Sequence, residues 1–264
     1  MVCPVKIDSV RPLVRYVDHQ QAVIDTHIVT RAGLPTDEAH RTADAPIAYV
    51  MAEIDGADGF HDEGCGRLYL KQCGSRMEGG FRFGIDAPQR WWPAGLGEQP
   101  LYDLVIRIIV GDEVTDETRL KIGLASVRRG RVLGRDLPPS LLVNGHICEV
   151  LEIVTVDRID EHQLLPANGE SLLLVRDHYG NDLLYQAADM AGILAVQAVP
   201  IDPQGDPATQ VREQVNRLTA HPSLAGYYTG HLGELKDTVT RCLRALDPTR
   251  AVFDRFPLAD DADA

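Results

Sequence analysis

The hydrophobic period changes halfway along this chain, and that change limits the fold more than any other feature. From Val5 to about Arg129 short β-rich runs recur, several alternating apolar with polar residues: Ala22 to Val29, Ile47 to Ile54, Arg67 to Leu70 and Phe81 to Ile85. Leu101 to Val110 and Glu117 to Val127 continue the series. Val10, Leu13, Val14 and Val17 match helical spacing, but Pro12 and the valines favour an extended strand. Gly and Pro punctuate the runs, as turns do in an antiparallel sandwich.

From about Leu141 apolar runs alternate with helical stripes. Val150 to Val156, Leu172 to Val175, Ile193 to Val199 and Leu224 to Tyr228 suit a parallel sheet covered on both faces. Asp206 to Leu218 reads as a helix, with an Asp cap, Pro207 in the first turn and a Val211, Val215, Leu218 stripe. A second helix runs from an Asn181 cap to Gly192, and a third from about Gly233 to Leu246, stopped by Asp247-Pro248. Asp157 to Glu170 holds Pro166 and Asn168-Gly169, so any helix there is short. The expected domains are an all-β sandwich over 1–129, a linker over 130–140 containing Pro138-Pro139, and an α/β domain over 141–264.

Charge narrows the function. With Lys+Arg 26 against Asp+Glu 39, the net charge of −13 repels a phosphate backbone and an anionic lipid surface, so neither nucleic acid nor membrane is an expected partner. Met1 to Asp8 lacks the charged-then-apolar order of a secretion signal, and no apolar run approaches about 18 residues, which predicts a cytoplasmic protein. Five cysteines without a C-x-x-C pair fit neither a disulfide framework nor a zinc site; Cys242 falls on the apolar face of the third helix and reads as packing. Phosphate-loop, nucleophile-elbow and zinc-helix motifs are absent, and no cofactor is expected. Asp55, Asp58, Asp62 and Glu63 in the glycine-rich stretch lack calcium-loop spacing and read as a solvated turn, so no metal is expected.

Trp91-Trp92-Pro93-Ala94-Gly95, Ile122-Gly123-Leu124, Val143-Asn144-Gly145, the Arg176-Asp177-His178-Tyr179 stretch, Asp189-Met190-Ala191-Gly192 and His221-Pro222-Ser223 follow one another along the chain. Together they resemble glycoside hydrolase family 2, the family of β-galactosidases, β-glucuronidases and β-mannosidases. That resemblance implies an immunoglobulin-like sandwich followed by the first part of a TIM barrel, here a partial, half TIM-barrel-like β/α domain. The tryptophan pair supplies a rigid apolar anchor at a turn, whatever the family.

Retaining glycoside hydrolysis requires two carboxyl groups about 5 Å apart, one as acid/base and one as nucleophile. Counting from His221, the family's Asn-Glu falls on His231 and Leu232, and leucine can neither donate nor accept the proton. Glu234 lies two residues further on, where it also fits a helix start. The nucleophile belongs to a later strand, and Leu141 to Ala264 is about half of the roughly 250 residues of a full barrel. The third strand offers Gln197 where the family has an acid.

Arg176, His178 and His231 remain as substrate-binding candidates, Arg176 either holding a hydroxyl or carboxylate or bridging strands. The resemblance thus implies a β-glycosidase relative that is catalytically impaired, with a carbohydrate as its ligand. A non-catalytic carbohydrate-binding or interaction protein, or a fragment of a longer gene product, is the alternative. Half a barrel leaves strand edges open, which predicts a homo-oligomer or a partner chain covering them.

Overall fold

The computed structural model describes residues 5–32, 48–73, 76–129, 141–157 and 171–255. The chain forms two compact units, Met1–Pro88 with Leu101–Ile122, and Gln89–Pro100 with Gly123–Ala264. The expected linker over 130–140, the expected short helix after Asp157 and the acidic tail lie outside the described residues, apart from Asp157 itself.

The described residues of the first unit form two four-stranded antiparallel sheets. Its strands are β1 (Val5–Val17), β2 (Gln21–Ala32), β3 (Ala48–Asp55), β4 (His61–Leu68), β5 (Lys71–Cys73), β6 (Arg76–Asp86), β7 (Tyr102–Val110) and β8 (Glu113–Ile122). One sheet runs β1-β2-β6-β5 and the other β4-β3-β7-β8. Alternation decides which face is buried: Ile24 and Ile28 of β2 and Val50, Ala52 and Ile54 of β3 point inward and are fully buried, while Asp25, Met51 and Glu53 between them are not.

Pro12 sits in β1, an edge strand, where its missing N–H is tolerated. Gly66 of β4 leaves room for Phe81 of β6; a Cβ there would come within 2.6 Å of that ring. The sheets are also tied by Ile7 N–H donating to Asp116 at 2.8 Å and Asp86 N–H donating to Asp62 at 3.1 Å. On the outer faces Asp25 accepts from Arg15 and Arg82, and Arg107 bridges Glu53 and Glu117, pairs that solvent screens.

The second unit begins with β9 (Val127–Arg129), β10 (Leu141–Val143) and β11 (His146–Cys148), an antiparallel sheet ordered β11-β10-β9. Asn144 and Gly145, at φ 51° and 85°, make the two-residue turn between β10 and β11. Next come β12 (Glu152–Val156), β13 (Ser171–Val175), β14 (Leu194–Ala198), β15 (Leu224–Tyr228) and β16 (Ala251–Phe253), parallel and adjacent in sequence order. Helices α1 (Asp182–Ala191), α2 (Pro207–Leu218) and α3 (Lys236–Leu246) fill the last three crossovers.

Asn181 caps α1 by accepting from Leu184 N–H at 2.8 Å, and Asp206 caps α2 by accepting from Thr209 N–H at 2.8 Å, as their sequence signals predict. All three helices press on one face of the sheet. Leu184, Tyr185, Val211, Val215, Val239 and Leu243 form a single cluster with Leu173, Val175, Ala195 and Tyr227, and Cys242 packs against it. Strands laid down in sequence order with crossovers of one hand place their helices on one side in this way. The alternate residues Leu172, Leu174, Val196 and Ala198 point to the opposite face and are buried as well.

The third helix starts later than its sequence pattern predicts. Gly230–Leu235 is a 3₁₀ turn, interrupted at Gly233 with φ 53°, and α3 begins only at Lys236. Glu234 therefore lies in that turn instead of opening the helix.

Candidate functional site

The candidate site is the rim formed by the C-terminal ends of the parallel strands. Asp157 follows β12, Arg176 and Asp177 follow β13, Val199 follows β14, Gly230 and His231 lie just beyond β15, and Asp254 follows β16. Arg176 clamps two of these ends. Its backbone N–H donates to Val156 O at 3.0 Å, and its guanidinium meets Asp157 through Nε to Oδ1 at 3.0 Å and Nη2 to Oδ2 at 3.3 Å. Two parallel donors on one carboxylate fix the planar head in place. The side chains remain 43% and 46% exposed, so the pair faces water and is screened by it.

His231 shares this surface. Its ring lies tilted over Tyr228 with centroids 5.3 Å apart. Partial desolvation holds its pKa below the usual histidine value, with Arg176 acting in the same direction, against a hydrogen bond to the Val199 backbone and the charge of Asp177. Arg176, Asp177 and His231 are thus close enough to feel one another. Asp177 has a left-handed backbone, at φ 62°.

His178 is placed differently. Both ring nitrogens are shut off from solvent and have no hydrogen-bond partner among the described residues. Its carbonyl accepts from Gln197 Nε2 at 2.9 Å. Gln197, fully buried, is the hub of this region: its Oε1 accepts from Tyr185 OH at 2.8 Å and from Gly180 N–H at 3.3 Å. Arg217 of α2 supports the same loop, donating to Gly180 O at 2.7 Å and to Asp182 at 2.7 Å. The amide read from sequence as a departure from an acidic position is therefore a structural bracket for the loop carrying Arg176 to Tyr179.

Glu234 is exposed in the 3₁₀ turn, and Leu232 is half-buried against the helix-side cluster, its N–H donating to Thr229 O at 3.1 Å. Sequence reasoning missed Asp157, Asp177 and Tyr228. The first two carried a usable signal, since each is an acidic residue directly after an apolar run or its Arg.

The motifs at the opposite, N-terminal ends of the strands make a different constellation. Asp189 accepts from His221 Nδ1 at 2.6 Å, from Ser223 Oγ at 2.6 Å and from Ser223 N–H at 3.1 Å. The Asp189 carbonyl accepts from the indole of fully buried Trp91 at 2.8 Å. Ser, His and Asp do not form a nucleophilic relay here, because serine and histidine both bond the same carboxylate and all three are buried.

Around this centre Asn144 donates to Trp91 O at 2.8 Å, and Ala94 N–H donates to Gly192 O at 2.9 Å. A Cβ on Gly123 would come within 2.4 Å of the Pro222 ring. Trp92 is flanked by the Arg90 guanidinium 4.8 Å from its centroid and by His146 at 5.0 Å. In the glycine-rich stretch Asp55 pairs with His61 at 2.7 Å. Among the described residues no group of three His, Cys, Asp or Glu side chains is arranged to hold a metal ion, and no helix is long and apolar enough to cross a membrane.

Comparison with known proteins matches residues 52–124 to the family described as Glycosyl hydrolases family 2. The chain is similar to Beta-mannosidase A of Aspergillus aculeatus, 28% identical over 204 residues, which is 64% of this chain and 22% of that protein. It is also similar to Exo-beta-D-glucosaminidase of Amycolatopsis orientalis, 25% identical over 177 residues, 56% of this chain and 17% of that protein. It thus spans about a fifth of each of these relatives. Among solved structures, Beta-D-Mannosidase from Dictyoglomus thermophilum superposes with a TM-score of 0.70 at 19% identity, covering 94% of this chain and 34% of that one.

Proposed function

We propose that this chain, a relative of the family 2 glycosyl hydrolases, binds a β-linked sugar on the Arg176 and His231 rim without hydrolysing it through its own residues. In this reading the first unit is an immunoglobulin-like sandwich, and the second is the opening part of a (β/α) barrel. Two four-stranded antiparallel sheets support the former, and five parallel strands in sequence order with helices on one face support the latter.

The observation that carries the proposal is at the end of β15, where proton donation to a departing sugar oxygen would need a carboxyl group. Counting from His221 puts Leu232 at that position; its side chain packs against the apolar cluster, and Glu234 is exposed two residues further on, which supports this reading. Arg176 and His231 still offer donors, and His231 an acceptor, to sugar hydroxyls. The names of the relatives point to mannosides and glucosaminides as the first sugars to try. The outer strands β12 and β16 end the five-strand row among the described residues, so a second copy or another chain is proposed to cover them.

The test pairs two assays. Aryl β-mannoside and aryl β-glucosaminide should release no aryl alcohol above background, and calorimetry with manno- and glucosamine oligosaccharides should show heat that Arg176→Ala and His231→Ala abolish. Turnover that disappears in Glu234→Gln would overturn the non-catalytic reading, and absence of heat with every sugar would overturn the binding reading. A monomer by light scattering would refute the covered edge.

A further inference from the structure

We infer that Asp177 to Tyr179 is a two-position gate on the rim, caught here with His178 withheld. Its use as a gate rests on the sugar-binding reading above, but its existence does not. Three observations converge on these residues. Asp177 has φ 62°, a region that L side chains enter at a cost, although Asp tolerates it better than most. Both nitrogens of the next side chain, His178, are closed off from solvent without a partner among the described residues. The Tyr179 hydroxyl is closed off and without such a partner too, and burial raises its pKa. Buried donors and acceptors left unmade disfavour the conformation that buries them.

The ends of the segment are held while its middle is not. Upstream, Arg176 is fixed by Val156 O and Asp157. Downstream, Gly180 is gripped through its N–H by Gln197 and through its carbonyl by Arg217, and Asn181 caps α1. Between them, among the described residues, Gln197 Nε2 tethers the backbone by donating to His178 O at 2.9 Å. That nitrogen carries two protons but faces three carbonyls, with Val175 O at 3.4 Å and Ala198 O at 2.6 Å as the others. Gln197 can let the His178 carbonyl go and keep both of its donors engaged. Rotation of Asp177 out of the left-handed region then frees the imidazole to reach the rim, where a sugar hydroxyl or water satisfies its nitrogens.

Histidine C2-hydrogen exchange in D2O, read by mass spectrometry on the intact chain, tests the gate without any sugar. The buried His221, held by Asp189, serves as the reference in the same unit. Relative to His221, His178 should exchange roughly five- to thirtyfold faster in Asp177→Ala than in Asp177→Gly, because alanine disfavours the left-handed backbone that glycine accepts. Equal His178 rates in the two variants, or a rise that His221 shares, would overturn the gate.

The unmodified chain gives a second reading. Microsecond-to-millisecond NMR exchange should be confined to 177–179, and a quiet segment would also refute the proposal. Failure to bind sugar would sink the proposed function and leave both of these measurements standing.

Discussion

Asp189→Ala should unfold the second unit's core at its N-terminal end, and the size of the loss follows from what the carboxylate holds. It accepts three hydrogen bonds, at 2.6, 2.6 and 3.1 Å, from residues exposed by 8% or less. Alanine leaves a His221 nitrogen, the Ser223 hydroxyl and the Ser223 N–H without that acceptor in a dry site, at about 1 to 3 kcal/mol each. The hydroxyl can rotate toward another acceptor and the buried charge is gone, so the net loss should be about 3 to 5 kcal/mol. Against total stabilities of about 5 to 15 kcal/mol, that is enough to populate the unfolded unit in mild urea. Both tryptophans, Trp91 and Trp92, lie in this unit, so fluorescence followed through a urea titration reports on it alone. Ser223→Ala should cost less, and the double variant should lose less than the sum of the two. A loss below about 1 kcal/mol in Asp189→Ala, or strict additivity with Ser223→Ala, would refute the claim that one carboxylate organises the site.

Gly192→Ala should cost at least about 2 kcal/mol in the same titration, since the position has φ 70° and a Cβ would lie 2.5 Å from Ala94 N. Asp18 should titrate by NMR at about 2, because Tyr16 OH and the Gln20 and Gln21 N–H groups donate to its ionised form. Its contribution to stability is therefore complete above its ordinary value of 3.8 and lost as pH falls through about 2. Gln197→Glu should destabilise the second unit by about 3 kcal/mol at pH 8 and by less at pH 5, as judged by urea midpoints, because a buried carboxylate facing carbonyls raises its own pKa.

Strand and helix placement was legible where a local signal had no competitor. The period-two burial of β2 and β3, the Asn181 and Asp206 caps and the Pro12 strand all follow from side-chain geometry within a few residues. The start of α3 was not, because the positive φ at Gly233 is a backbone choice that the apolar stripe does not encode. At the rim, the placement of Arg176 and His231 beyond apolar runs was legible, but the Asp157 pairing joins residues 19 apart in sequence, which no spacing rule reveals. Nor does sequence show that His178 is enclosed, because enclosure is set by what the folded chain packs around it.

The motifs read from sequence as glycosidase-like and the candidate rim lie at opposite ends of the same sheet. Trp91, Asn144, Asp189, Gly192, His221 and Ser223 make their bonds at the N-terminal ends, where they close a packed polar centre. Residues there are held to type by geometry: Gly192 by its φ of 70°, Asp189 by three donors that need an anion or its equivalent. Leu232 and Gln197, read from sequence as departures from the family pattern, are both accommodated by packing of their own. At Gln197 the surroundings suit an amide. An amide can accept from Tyr185 and Gly180 while donating to neighbouring carbonyls, whereas a carboxylate could only accept and would face those carbonyls with like polarity. The bonds at the N-terminal ends therefore hold the scaffold together, and activity has to be tested at the rim.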